Sequence, residues 1–200
     1  MKNLIVYAHP WDGSFNNHVL KMTVEKLEAK GEHVDVIDLH ADEFDPVMHP
    51  ADLKVFGKGE YHDPKAKNYV ERMKAADNII FVFPIWWYGM PAILKGFFDK
   101  VLLKGTTYVE DENKNLRGVL DIKKSAIFTT GNIDKEFMKV MGDPIENTMI
   151  NGLFKMVGIE DTTWIRCPTG HGEASHHDLV QQIRAYADQK ERFALFLLNK

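Results

Sequence analysis

Ile79-Ile80-Phe81-Val82-Phe83 is an unbroken apolar run, preceded by Ala76-Asp77-Asn78 and followed by Pro84. It does not alternate, so it is not a strand with one face in water. It reads as a strand buried on both faces, as in a parallel sheet. Proline brings no N–H to a ladder, so Pro84 is expected to end the strand. In open α/β sheets, the loops leaving the C-terminal strand edge hold ligands. Here that loop runs Ile85-Trp86-Trp87-Tyr88-Gly89-Met90, with Pro91 at a helix start. Any one of Trp86, Trp87 and Tyr88 alone would be an ordinary core or interface residue. Three in a row on a loop read as a wall for a flat ring.

The rest of the chain alternates strand and helix patterns around this run. Residues 4–8 open the sheet, and residues 9–17 follow as a loop. A helical pattern over residues 16–30 sets Val19, Leu20, Thr23, Val24 and Leu27 on one face, with Gly31 as its C′ residue. Residues 33–39 alternate and are more polar, as an edge strand is. This β-α-β unit predicts parallel strands with a right-handed crossover. Residues 40–64 are irregular, with one short helix over 51–56. Helices are expected over 65–76, 91–103 and much of 146–157, the last stopped by Gly158. Residues 105–121 are polar and suit a small hairpin or a loop. Strands are expected over 124–130 and 162–167. Ser175 is expected to cap a final helix running to Arg192. Five strands alternating with helices give a doubly wound α/β sheet, expected order 2-1-3-4-5.

With 200 residues, 44% of them hydrophobic, the chain suits a single domain over 1–200. A net charge of −4 offers nothing to nucleic acid or to an anionic membrane. The one cysteine, Cys167, excludes an internal disulfide and fits a reducing compartment. The first seven residues are too briefly apolar for a signal peptide, and no stretch is long enough to span a bilayer. A cytoplasmic location is the expectation.

In the expected strand order, the loops after the first, third and fourth strands lie side by side. The first carries His9, then Ser14, Phe15 and Asn16 at a helix start, where free N–H groups and the helix dipole favour a phosphate. Simple N-capping is the plainer role of Ser14 and Asn16. Neither a G-x-x-x-x-G-K-[ST] nor a G-x-G-x-x-G follows the first strand, which excludes a nucleotide-hydrolysing P-loop and a dinucleotide fingerprint. The second loop brings the aromatic wall. The third, Thr129-Thr130-Gly131, brings hydroxyls and amides where glycine permits close approach. Together they outline a seat for a flavin mononucleotide moiety, with no metal and no protein nucleophile required.

On these residues the chain resembles the flavodoxin-like NAD(P)H:quinone oxidoreductases and the ancillary oxidoreductases of bacterial potassium-efflux systems. The resemblance rests on His9-Pro10 with Ser14-Phe15-Asn16, Asp38-Leu39 with Phe44-Asp45-Pro46-Val47, the whole run from Phe83 to Gly96, and Thr129-Thr130-Gly131. It implies a flavoprotein, usually a homodimer, passing hydride from NAD(P)H through the flavin to a quinone or similar acceptor. By position it implies that His9, Ser14, Phe15 and Asn16 bind the phosphate part, that Pro84, Ile85, Trp86, Trp87 and Tyr88 hold the isoalloxazine, and that Thr129, Thr130 and Gly131 meet its pyrimidine edge. It leans to FAD, with FMN as the alternative. A regulatory partner of a membrane transporter is the second role it implies. Animal members carry a tyrosine and a histidine after the third loop. Neither is present here, so their quinone specificity does not transfer. The apolar tail over 193–198 and the open aromatic loop are two surfaces for a homodimer to cover.

Overall fold

The central apolar run forms β3 (Asn78–Pro84), buried at every residue. In the computed structural model, which describes residues 1–168, β3 lies at the middle of a five-stranded sheet. Its neighbours are β1 (Lys2–Tyr7) and, on the other side, β6 (Lys124–Gly131). β2 (His33–Asp38) and β7 (Thr162–Pro168) form the edges, giving β2-β1-β3-β6-β7 with every pair parallel. Counted within this sheet the order is 2-1-3-4-5, the doubly wound α/β arrangement predicted from the sequence. β4 (Tyr108–Glu110) and β5 (Leu116–Gly118) make a separate antiparallel hairpin.

The period of two along β3 divides the core. Ile80 and Val82 face one side with Ile5, Tyr7 and α1 (Phe15–Glu28). Ile79, Phe81 and Phe83 face the other, against α3 (Pro64–Ala75) and α4 (Ala92–Val101). Pro84 does not end the pairing: Ile85 N–H still donates to Thr130 O at 2.8 Å. Parallel strands bond their two neighbours alternately. The Pro84 nitrogen therefore faces β1, whose last bond is Ala8 N–H to Val82 O at 3.0 Å. A missing donor is tolerated where a ladder runs out.

Helix α1 ends earlier than its periodicity predicts. Ala29 is its cap, and Gly31 (φ 72°) turns the chain two residues later. The short helix in the irregular region is α2 (Pro50–Phe56). One helix was not anticipated, α5 (Lys135–Val140), whose Asp134 cap accepts from Glu136 and Phe137 N–H at 2.9 and 3.1 Å. The helix expected over 146–157 is π-helical over Ile145–Phe154, then α-helical to Gly158 (φ 92°). The wider turn suits the sequence: Ile145 and Ile150, like Met149 and Phe154, are five apart, and all four are buried. The predicted Ser175 cap, the final helix and the apolar tail lie outside the described residues. Among the described residues, no helix is long and apolar enough to cross a membrane.

The irregular segment is fastened to α4 at several points, among them Tyr61 Oη–H, which donates to Val101 O at 2.8 Å. Gly96 lets Pro46 approach so closely that a Cβ there would stand 2.2 Å from Pro46 O. Beside it Lys100, 5% exposed, donates to Asp45 O at 3.0 Å and pairs with Asp63 at 2.6 Å. Burial opposes ionisation of Asp63, but Lys100 and the N–H groups of Lys65 and Ala66 outweigh it and lower its pKa. Removing one partner of a buried pair strands the other charge. Lys100→Met is therefore expected to lower unfolding free energy by about 3–5 kcal/mol in urea titrations at pH 7. A carboxyl with a depressed folded pKa adds stability above its unfolded value near pH ~4 and loses it in acid. The variant's deficit should thus shrink below pH ~4, where Asp63 takes up a proton.

Candidate functional site

β1, β3 and β6 are adjacent and parallel, so the three loops singled out in the sequence emerge at one edge. In the first, Ser14 performs the plainer role: its Oγ accepts Asn17 N–H at 3.0 Å and caps α1. Phe15 begins the helix, with its ring stacked 6.2 Å from that of His18. His9 Nδ1 accepts Trp11 N–H at 3.1 Å. In the neutral ring this places the proton on Nε2, which leaves Nε2–H as the donor of the ring. Burial holds the His9 pKa below the ordinary histidine value, so the ring is neutral at pH 7.

The loops are linked to one another. Asn16, 2% exposed, donates from Nδ2 to Thr130 Oγ1 at 2.7 Å, joining the first loop to the third. Its Oδ1 is buried without a partner. His9 and Trp86 stand with ring centroids 6.1 Å apart, joining the first loop to the second. A Cβ on Gly131 would lie 3.3 Å from Ile85 Cβ, so the second and third loops touch where glycine leaves room.

The aromatic loop is a tight turn. Trp86 and Gly89 exchange both backbone bonds, at 3.0 and 3.1 Å, around Trp87 (φ 49°) and Tyr88 (φ 68°). A two-residue turn with positive φ at both centres is the type that selects Asn-Gly. Bulky residues in that region cost roughly 1–2 kcal/mol each. The three rings do not share one environment. Trp87 is 94% exposed and Trp86 is 46% exposed. Tyr88 is half-buried and packs on Phe137 of α5 with centroids 5.8 Å apart.

Thr129 and Thr130 are buried, and Thr129 Oγ1 is engaged inside the sheet, accepting Trp164 Nε1–H at 2.9 Å. Of the two hydroxyls, the one tied to the first loop is Thr130. Phe137 adjoins the aromatic turn and was not a sequence candidate. Asp134, a helix-capping residue just ahead of it, was the available signal. Arg166 donates to Ile133 O and fastens that connection to β7. Cys167 is buried and its thiol is pushed up to about 12, which leaves it as a small core residue. No group of acidic, histidine and cysteine side chains among the described residues could hold a metal.

Trp87 loses almost no packing when replaced, because it is nearly fully exposed. Trp87→Asn is expected to raise unfolding free energy by about 1 kcal/mol, through relief of the turn. An unchanged or lower urea midpoint would mean that the turn stores no strain.

A family model described as a flavodoxin-like fold matches residues 1–190. An uncharacterized NAD(P)H oxidoreductase of Haemophilus influenzae is 32% identical over 164 residues, covering 80% of each chain. A ribosyldihydronicotinamide dehydrogenase [quinone] of Mus musculus is 37% identical over 123 residues, covering 54% of this chain and 53% of that one. The chain thus spans about half of that mouse relative, at 53%. Among solved structures, an NAD(P)H:quinone oxidoreductase from Methanothermobacter marburgensis superposes with a TM-score of 0.77 at 26% identity, covering 92% of this chain and 96% of that one. The chain belongs to this flavodoxin-like family, the family of the NAD(P)H:quinone oxidoreductases.

Proposed function

We propose that the protein is a flavin-dependent NAD(P)H oxidoreductase, passing hydride from NAD(P)H by way of the flavin to quinones or related aromatic acceptors. The observation that carries this reading is the strained Trp87-Tyr88 turn, with Trp87 in solvent and Trp86 6.1 Å from the His9 ring of the first loop. Strain of this kind persists where surrounding structure enforces it, and it gathers at ligand sites. The names of the H. influenzae, mouse and M. marburgensis relatives point to the same chemistry.

The residues fit a flavin mononucleotide moiety. The orphaned Asn16 Oδ1 suits a hydroxyl donor such as a ribityl chain provides. The α1 N-terminus and the His9 Nε2 donor suit its phosphate. Pro84, Ile85, Trp86, Trp87 and Tyr88 would border the ring, with Thr130 and Gly131 at its pyrimidine edge. Once bound, the flavin supplies the hydride chemistry; the chain seats and orients it and excludes water from one face. FMN and FAD share this moiety. The sequence resemblance leans to FAD, and the mass of the flavin released on denaturation decides between them. Trp86 and Trp87 leave aromatic surface in water, so a homodimer that covers them is part of the proposal.

Purified protein reconstituted with FMN or FAD should be yellow, and should bleach directly with anaerobic NADH or NADPH without a semiquinone band. A protein that takes up neither flavin would overturn the reading. Replacing Trp86, Trp87 and Tyr88 together by alanine should weaken flavin binding about tenfold or more while the fold persists, given about 1–3 kcal/mol per stacked ring. Unchanged flavin affinity would remove the aromatic turn from the site. Sedimentation at micromolar concentration checks the dimer, and a monomeric mass would defeat it.

A further inference from the structure

The register of β1 on β2 pairs Tyr7 with Asp38, and Leu39 N–H continues it onto Tyr7 O at 3.1 Å. Past this bond the chain turns, Asp42 N–H donating to Asp38 O at 2.8 Å, and His40 comes near enough to His9 for the two rings to interact electrostatically. Asp38 fixes this corner: its Oδ1 accepts the N–H groups of His40 and Ala41 at 3.1 and 3.0 Å. The His40 side chain is half-buried, and its Nε2 is enclosed without a hydrogen-bond partner. Buried polar nitrogens rarely stay unpartnered, and one that does calls for a ligand or another explanation. On its other side His9 meets Trp86. Across the ends of β2, β1 and β3, the edge therefore reads His40, His9, Trp86. The two imidazoles continue the aromatic border toward the sheet edge.

We propose that His40 is a second phosphate-binding residue, forming with His9 a two-imidazole cradle in which Nε2–H of His40 donates to a phosphate oxygen of the bound flavin nucleotide. The proposal presupposes the flavin reading given above. The carboxylates at this corner are Asp38 on β2 and Asp12 on the loop after β1. Burial lowers the pKa of both imidazoles; Asp38 partly opposes this at His40, and the His40 charge adds to it at His9. Both rings thus favour the neutral form at pH 7. A phosphate dianion between them favours the imidazolium, which strengthens each donor in turn.

FMN and riboflavin share the ring and the ribityl chain and differ by the phosphate, so they separate this role from a structural one. In the apoprotein, His40→Leu should weaken FMN binding about tenfold and leave riboflavin within about twofold, as loss of one hydrogen bond to a charged group predicts. Equal losses for both ligands, or no loss for either, would overturn the proposal. Ring-proton NMR of the wild type needs no variant. Saturation with FMN should raise the His40 titration midpoint, and riboflavin should leave it in place; a midpoint that FMN does not move would also overturn it. Wild-type protein that binds neither FMN nor FAD would overturn the flavin reading itself, and the cradle with it. Tight FMN binding with an indifferent His40 would overturn the cradle alone.

Discussion

Parallel pairing of fully buried strands is the constraint on which the rest depends. A strand with apolar residues on both faces needs helices above and below, and each crossover returns the chain to the same starting edge. Every strand of the main sheet therefore ends at one edge. Loops separated by more than a hundred residues meet there, as the bond between Asn16 and Thr130 shows. The site is a consequence of β3 having no polar face.

At that edge, features that cost stability gather together. The turn after β3 holds two bulky residues at positive φ, and Trp87 stands in water. Asn16 Oδ1 and His40 Nε2 are buried without partners. In the sheet interior several buried polar groups are paired. Asn78 Nδ2 donates to Asn3 at 2.8 Å, and Ser125 shares a bond with Thr162 at 2.6 Å. Asn78 Oδ1, at the opposite end of β3, is also buried without a partner, and Glu43, Lys114 and Asp143 also hold positive φ, so such groups are not confined to this edge. What sets this edge apart is the combination: two unpartnered polar atoms together with two bulky residues at positive φ in one turn.

The sheet was legible because its signals are local: apolar runs of strand length, separated by helical periods and punctuated by glycine and proline. The same locality explains what was not. Helix α5 spans only six residues, too few for a period to show, and its one sign was Asp134. The π-helix was legible only as a helix, because its five-residue spacing of Ile145 and Ile150 mixes with four-residue spacings. Pro84 was read as a stop because sequence does not tell which neighbour a nitrogen faces. At the site, residue types on three loops could be read, but their engagement could not. The hydroxyl of Thr129 turned out to serve Trp164, while Ser14 caps its own helix, the plainer of the two roles its sequence position allowed. His40 gave no signal at all, since it comes near His9 only through the turn that follows β2.

The irregular segment over 40–64 has a place in the same design. A turn with positive φ at Trp87 and Tyr88 needs both its ends held. On one side Ile85 N–H is bonded to Thr130, continuing the ladder. On the other, Pro91 O accepts the N–H groups of Leu94 and Lys95 at 3.0 and 3.1 Å, beginning α4. The far half of α4 is gripped by Pro46 against Gly96 and by the Lys100–Asp63 pair. The segment that looked least ordered in sequence therefore fixes the helix that fixes the turn. The strain at Trp87 and Tyr88 is sustained because a sheet and a clamped helix hold the two ends that relaxation would have to move.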